Sequence, residues 1–443
     1  MNNTVVDVEC VIVTALGVAF ALALLLRALG RSRPQLSLGM PFAVGYGLRL
    51  LVIAGVSATG IGSTLRGGDE LTYLSYAHKI ASLSWTSGEW LPTSHQSFLH
   101  VLVFAAQLKI LGSPEGALRI TQVGISLAGV MLIAAAVYDI AGPRAARLAA
   151  WLLNLEVASL FFNGLLLKEP LMELASGLVV FGATKVWSRL ESKGIAIMGL
   201  GGLIALGTRW YVGWSLIACA VLVVLHAAMR QLPGGRLRPL ALICGVAAVA
   251  FIATPAILAA TSHKSLEENL QPAQNGNATS TAGNGKANGN NLALEKVDFS
   301  TRGAILSNLP QRIRELLLRP YPWQMGDTNQ ALGVVGSLVA LACFLLLIRF
   351  ALLCRGQVFA RAGPLLYPFL FLLIAYALSV GNAGTGFRYR THLVTLALAA
   401  MVVLRAAVLE RRQATDDLLA GEPAVEAVQP LLASAADRQA PAF

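Results

Sequence analysis

Apolar residues run along this chain in long blocks separated by short polar turns, with no sustained alternation of period two. About 20 apolar residues are what an α-helix needs to cross the hydrocarbon core of a bilayer. Blocks near that length fall at residues 10–29, 41–62, 118–140, 148–166, 169–187, 195–208, 211–229, 239–260, 331–353, 363–381 and 391–408. They predict an all-α, polytopic transmembrane helix bundle of about eleven spans. An outer-membrane barrel is excluded, because ten-residue alternating segments are absent. One further apolar stretch, Phe98 to Leu111, is short for a crossing.

Composition agrees with the pattern. Hydrophobic residues make up 56% of the 443 and charged residues 13%. That is about half the charged share of soluble domains, too little to coat a set of them. The net charge of +11 would suggest nucleic acid in a soluble protein. Here the basic residues orient the chain, and no nucleic-acid partner is expected. If Phe98–Leu111 lies on the outer surface as a juxtamembrane helix, one side receives Arg27, Arg31, Arg33, then Arg144, Arg147, then Lys185, Arg189, Lys193. The same side receives the later groups Arg230, Arg236, Arg238, then Arg349, Arg355, Arg361, and Arg405, Arg411, Arg412. A uniformly basic set of short loops marks the cytoplasmic face. The reading places the N-terminus outside and the C-terminus inside a bacterial inner or plasma membrane.

This topology divides the chain into a core at 1–260 with a first outer loop at 63–117, a second outer loop at 261–330, helices at 331–408 and a cytoplasmic tail at 409–443. Gln271 to Asn291 is rich in Asn, Gly, Ala, Ser and Thr and is expected to be disordered. Arg302 to Arg319 reads as a basic amphipathic helix. The acidic start, Asp7 and Glu9, reads as a first span rather than a cleaved signal. Cys10, Cys219, Cys244, Cys343 and Cys354 lie in or beside apolar segments and indicate neither a disulfide framework nor a zinc site.

Orientation does not explain the polar residues on the outer side. Asp69 and Glu70 follow Arg66-Gly67-Gly68 and precede Tyr73 and Tyr76. Adjacent carboxylates suit a divalent cation, Mg or Mn, or proton abstraction from a hydroxyl. Gly67 and Gly68 would let the backbone bend there. The plainer alternative is a solvated helix start. Lys168-Glu169-Pro170 and Thr208-Arg209-Trp210-Tyr211 fit a phosphate site or interfacial anchors. Arg319-Pro-Tyr-Pro-Trp323 leads into a later span, and Phe387-Arg388-Tyr389-Arg390 lies in the last outer loop. Two arginines outside, against the positive-inside rule, fit an anionic ligand or lipid headgroups. Arg49, Glu156 and Glu173 fall within spans and are expected to face the bundle interior. His78, His95 and His100 lack the HExxH spacing and read first as surface or interfacial residues.

Taken in this order, these clusters resemble the GT-C membrane glycosyltransferases, in particular bacterial relatives of protein O-mannosyltransferases and aminoarabinose transferases. Asp69-Glu70 with Tyr73 is similar to the family's acidic pair. Ser97 to Gly112, followed by Glu115 to Arg119, is similar to its surface helix and the start of the next span. Gly142-Pro-Arg144-Ala-Ala-Arg147 resembles its short cytoplasmic turn, and Lys168-Glu169-Pro170 its next outer motif, with Glu169 where Asp is common. The resemblance covers about residues 40–230. It implies a polyprenyl-phosphate sugar donor and a lipid-linked glycan, lipid or protein acceptor at the outer face. It implies Asp69 as general base with Glu70 assisting or sharing a metal. Arg388, Arg390, Arg209 and Lys168 would hold the leaving phosphate, with Tyr73 and Trp323 bordering substrate. A polymerase joining lipid-linked repeats would need the arginines but not the acids. A lipid-glycan flippase or transporter would need polar groups through the bundle, and a non-catalytic envelope-assembly subunit would need neither.

Overall fold

Two backbone features divide the long apolar helices at the turns that the sequence suggests. The computed structural model describes residues 3–59, 63–84, 86, 98–112, 114–231, 294–295, 297–324, 328–381 and 383–419. Of these, 89% are helical and none lies in a strand. In chain order the helices are α1 (Asn3–Arg31), α2 (Gly39–Thr59), α3 (Ser63–Ser82), α4 (Phe98–Leu111) and α5 (Glu115–Leu155). They continue with α6 (Val157–Phe162), α7 (Glu169–Arg189), α8 (Ser192–Thr208) and α9 (Trp210–Gln231). Then come α10 (Arg302–Leu318), α11 (Thr328–Cys354), α12 (Val358–Ser379) and α13 (Ala383–Leu419). Gly142, at φ 80°, breaks α5 just before Pro143; only glycine adopts that backbone without strain. The short turn Arg355–Gln357 separates α11 from α12.

Six helical stretches are long and apolar enough to cross a membrane: Asp7–Arg31, Gly39–Thr59, Glu115–Leu155, Trp210–Gln231, Gly333–Ser379 and Gly384–Asp417. The chain is a helical membrane protein. Three of the stretches, at 41, 47 and 34 residues, exceed a single crossing. At 1.5 Å per residue, the 41 residues of α5 would run about 60 Å, twice the hydrocarbon thickness.

Several expectations meet a different backbone. The apolar block at 148–166 is not one helix. Glu156 is extended and its carboxylate accepts from Ala158 N and Ser159 N, so a new short helix, α6, starts there. Gly67 and Gly68 do not bend the chain; α3 runs through them, because the flanking residues already form a continuous helix. Residues 384–392 are not a loop but the first turns of α13. The expected amphipathic helix is α10, capped by Thr301 Oγ1 accepting from Ala304 N at 3.1 Å. The expected span at 239–260 and the Gln271–Asn291 tract lie outside the described residues, as does His95.

The buried centre is α5 against α7, with α13 packed across both. Close approach there depends on glycine. A Cβ built on Gly129 would stand 2.5 Å from Glu173 O, and one on Gly177 would stand 2.4 Å from Gly129 O. Small residues of this kind let membrane helices gain packing contacts and backbone proximity. By contrast α1 is only 6% buried along its apolar window, as a helix facing lipid would be.

Candidate functional site

At one end of the bundle, α3, the start of α7, the α8–α9 turn and the start of α13 bring charged side chains together. On α3, Asp69 meets Arg388 of α13, whose Nη1 and Nη2 both donate to Asp69 Oδ2 at 3.0 Å. Thr385, one turn before Arg388, accepts from its Nη2 at 3.4 Å. The pair is reachable from solvent, with Asp69 about half exposed. Lys168 stands beside it, its ammonium 5.1 Å from the centre of the Tyr73 ring. Lys168 is partly buried and feels Arg209, Glu169, Asp69 and Arg388. Burial first, and then the neighbouring guanidinium groups, push its ammonium down to about 8.

Beneath this reachable layer lies a buried one. Arg209 Nη2 donates to Glu169 Oε1 at 2.7 Å, with both side chains out of solvent. The Arg209 guanidinium also covers the Tyr389 ring at 4.4 Å. Tyr389 stacks on Tyr376 at 4.6 Å between centroids, and its hydroxyl meets Tyr211 Oη at 2.9 Å. His392 joins Tyr376 Oη through Nδ1 at 3.0 Å and Glu169 O through Nε2 at 3.1 Å. These contacts fix the α7 and α13 starts relative to each other. They therefore hold the frame on which Lys168 and Arg388 stand.

The helix geometry sorts the remaining candidates. Glu70 follows Asp69 in α3 and so points about 100° away. It is buried, pairs with Arg119 Nη2 at 2.6 Å and accepts from Leu166 N at 2.9 Å. Arg119 also binds Glu115 and donates to Gly164 O at 3.3 Å. The two acids therefore do not converge on a shared cation. Among the described residues no group of three or more His, Cys, Asp or Glu gathers, and Glu70, held by Arg119 and Leu166 N, is not placed to share a Mg or Mn ion with Asp69. Arg390 lies two residues after Arg388 in a helix, on nearly the opposite face. It is buried, and its Nη1 donates to Leu317 O, Arg319 O and Ser337 Oγ, each at 2.9 Å. It ties α10 and α11 to α13 rather than reaching an outer ligand. Trp323 stacks on Tyr321 at 4.8 Å and is largely exposed. No described contact joins it to the cluster.

His78 is exposed, while His100 is fully buried, edge-on to Tyr73 at 5.2 Å. The sequence pattern misses Glu169 as the anchor of Arg209, and it misses the Tyr376–Tyr389–His392 layer. A helical reading of 383–392 would have found part of this layer, since Tyr389 and His392 are three apart and share a helix face. No protein-family model, curated protein or solved structure matches this chain.

Proposed function

We propose that this chain is an integral membrane glycosyltransferase of the GT-C kind, with about eleven crossings. It would move a sugar from a polyprenyl-phosphate carrier to an envelope glycan, lipid or protein at the outer face. The observation that carries the reading is the meeting of Asp69, Arg388 and Lys168, from three distant parts of the sequence, at one reachable place. The cations Arg388, Lys168 and Arg209 outnumber the carboxylates Asp69 and Glu169 around it, which suits an anionic group.

In this reading the acceptor hydroxyl oxygen attacks the anomeric carbon. The carbon–oxygen bond to the phosphate breaks, and the phosphate leaves with the electron pair. Asp69 takes the hydroxyl proton. Arg388 and Lys168 hold the departing phosphate, whose charge grows as the bond breaks. Tyr73 borders the substrate beside Lys168. Glu169 and Arg209 act as positioning residues beneath. Glu70, bound to Arg119 and Leu166 N, positions α3 and touches no substrate.

The test is mass analysis of lipid-linked and envelope glycans in cells lacking the gene. One incomplete glycan should accumulate and should clear on return of the wild-type gene but not of Asp69→Asn. An unchanged glycan profile, or full rescue by Asp69→Asn, would reject the reading.

A further inference from the structure

A second concentration of buried polar groups lies deeper, where α5 and α7 cross. Gln122, Ser126 and Gly129 recur at steps of four and three and share one face of α5; Glu173, Ser176 and Gly177 share one face of α7. The backbone approach of Gly129 to Glu173 and Gly177 sets those two faces against each other. Gln122, Ser126, Glu173 and Ser176 are each at most 1% exposed. Yet both amide atoms of Gln122, both serine hydroxyls and both carboxylate oxygens of Glu173 lack a hydrogen-bond partner among the described residues. Buried polar groups are paired in the large majority of cases, so a set of this size in one place needs a reason.

The charges around Glu173 bond mostly elsewhere, though Arg49 Nε has no hydrogen-bond partner among the described residues. Arg49, on α2, donates to Gly45 O at 3.0 Å, to Asn154 O and Oδ1 at 3.4 Å and to Ser159 Oγ at 3.2 Å. Glu156 accepts from the first amides of α6. Thr395 of α13 is the side-chain hydrogen-bond neighbour of Glu173; because its one hydroxyl proton goes to Thr391 O at 3.0 Å, it faces Glu173 as an acceptor. An ionised carboxylate without donors inside a lipid-embedded bundle is strongly disfavoured. A metal cation would have to exchange its hydration shell for this site's oxygens beside the Arg49 guanidinium. A proton forms an O–H bond on the carboxylate itself. It also gives Glu173 a donor, which the neighbouring Thr395 hydroxyl oxygen can accept.

We infer that Glu173, on the polar face that α7 turns to Gln122 and Ser126 of α5, is an intramembrane proton-binding site one helical turn inward of Glu169. The inference is independent of the sugar-transfer reading. Ionisable residues inside membrane spans mark proton and ion sites more often than structural ones. Here the small-residue crossing keeps the site narrow.

Infrared spectroscopy of the full-length protein in lipid nanodiscs tests it. At neutral pH the wild type should show a protonated carboxylic carbonyl band that shifts downward in heavy water. Glu173→Gln should lose that band, and Glu156→Gln should keep it. Glu173→Asp, which retains the acid, should move the band without abolishing it. A band indifferent to both Glu173 substitutions overturns the site. So does a wild-type band that vanishes on adding sodium at constant pH, since a metal cation would then be the ligand.

Discussion

Two ion pairs begin at neighbouring residues of α3 and end in opposite surroundings. Asp69 meets Arg388 with side-chain exposures of 50% and 15%, whereas Glu70 meets Arg119 with 4% and 2%. A pair in contact with water contributes about 0–1 kcal/mol and opens readily. Breaking a buried pair by removing one partner leaves an uncompensated charge and costs about 3–5 kcal/mol. The outer pair can therefore part at little cost, as the proposed function needs, while the inner pair must stay closed for the fold to hold. Adjacency in sequence conceals this, because one helical step turns a side chain by about 100°.

The largest effect should come from the inner pair. Arg119→Leu strands Glu70 and should lower stability by about 3–5 kcal/mol, read as loss of monodisperse protein on detergent extraction. Glu70→Gln keeps the Leu166 N contact and should be milder. An Arg119→Leu protein with wild-type thermal unfolding would mean that the two pairs do not differ.

Next comes Asp69→Asn. It keeps size and hydrogen bonding and should leave insertion and thermal unfolding unchanged. Transfer should fall by about 10²–10⁴, the usual cost of a lost general base. Asp69 should thus matter more than Glu70 for rate, and Glu70 more than Asp69 for stability. Equal loss of rate in Asp69→Asn and Glu70→Gln at equal stability would break the distinction.

The arginines of α13 repeat the lesson at a smaller scale. Arg388→Lys should weaken binding of a polyprenyl-phosphate donor about tenfold, since a point charge does not copy a planar fork. Arg390→Lys should leave binding intact and lower the unfolding temperature instead, because Leu317 O, Arg319 O and Ser337 Oγ lose their shared donor. Reversed results would exchange the two roles.

Much of the bundle was legible because burial in lipid imposes long apolar blocks. The helices α1, α2, α4, α7, α8 and α9 fall where hydropathy puts them. The division at Glu156 was not legible, because a carboxylate capping Ala158 N and Ser159 N looks in sequence like one polar residue in a span. The outer candidates Asp69, Lys168, Arg209 and Arg388 stood out as charges that orientation did not explain. Their sorting did not. Whether Arg388 and Arg390 act together depends on whether their segment is loop or helix. The Glu169–Arg209 pair spans 40 residues, and no local pattern announces it.

The smallest predicted effect concerns pH. Burial and the neighbouring Arg209 and Arg388 push the Lys168 ammonium down to about 8, from an ordinary value near ~10.4. Below that point Lys168 is charged and, in the proposed reading, would aid the phosphate; as pH rises through it, the charge is lost. Donor affinity should therefore fall by roughly two- to fivefold between about pH 7 and 9, the worth of one partly solvated charge contact. Stability should move the other way. A lysine whose value is depressed in the fold binds more protons when unfolded, so the folded chain gains stability as pH climbs from about 8 towards the ordinary value of ~10.4. Lys168→Met should remove both trends and leave affinity low throughout. Lys168→Arg should keep affinity flat and high, because guanidinium holds its proton. Wild-type affinity that stays constant across the window, or that falls together with stability, would remove Lys168 from the phosphate site and leave Arg388 as its reachable cation.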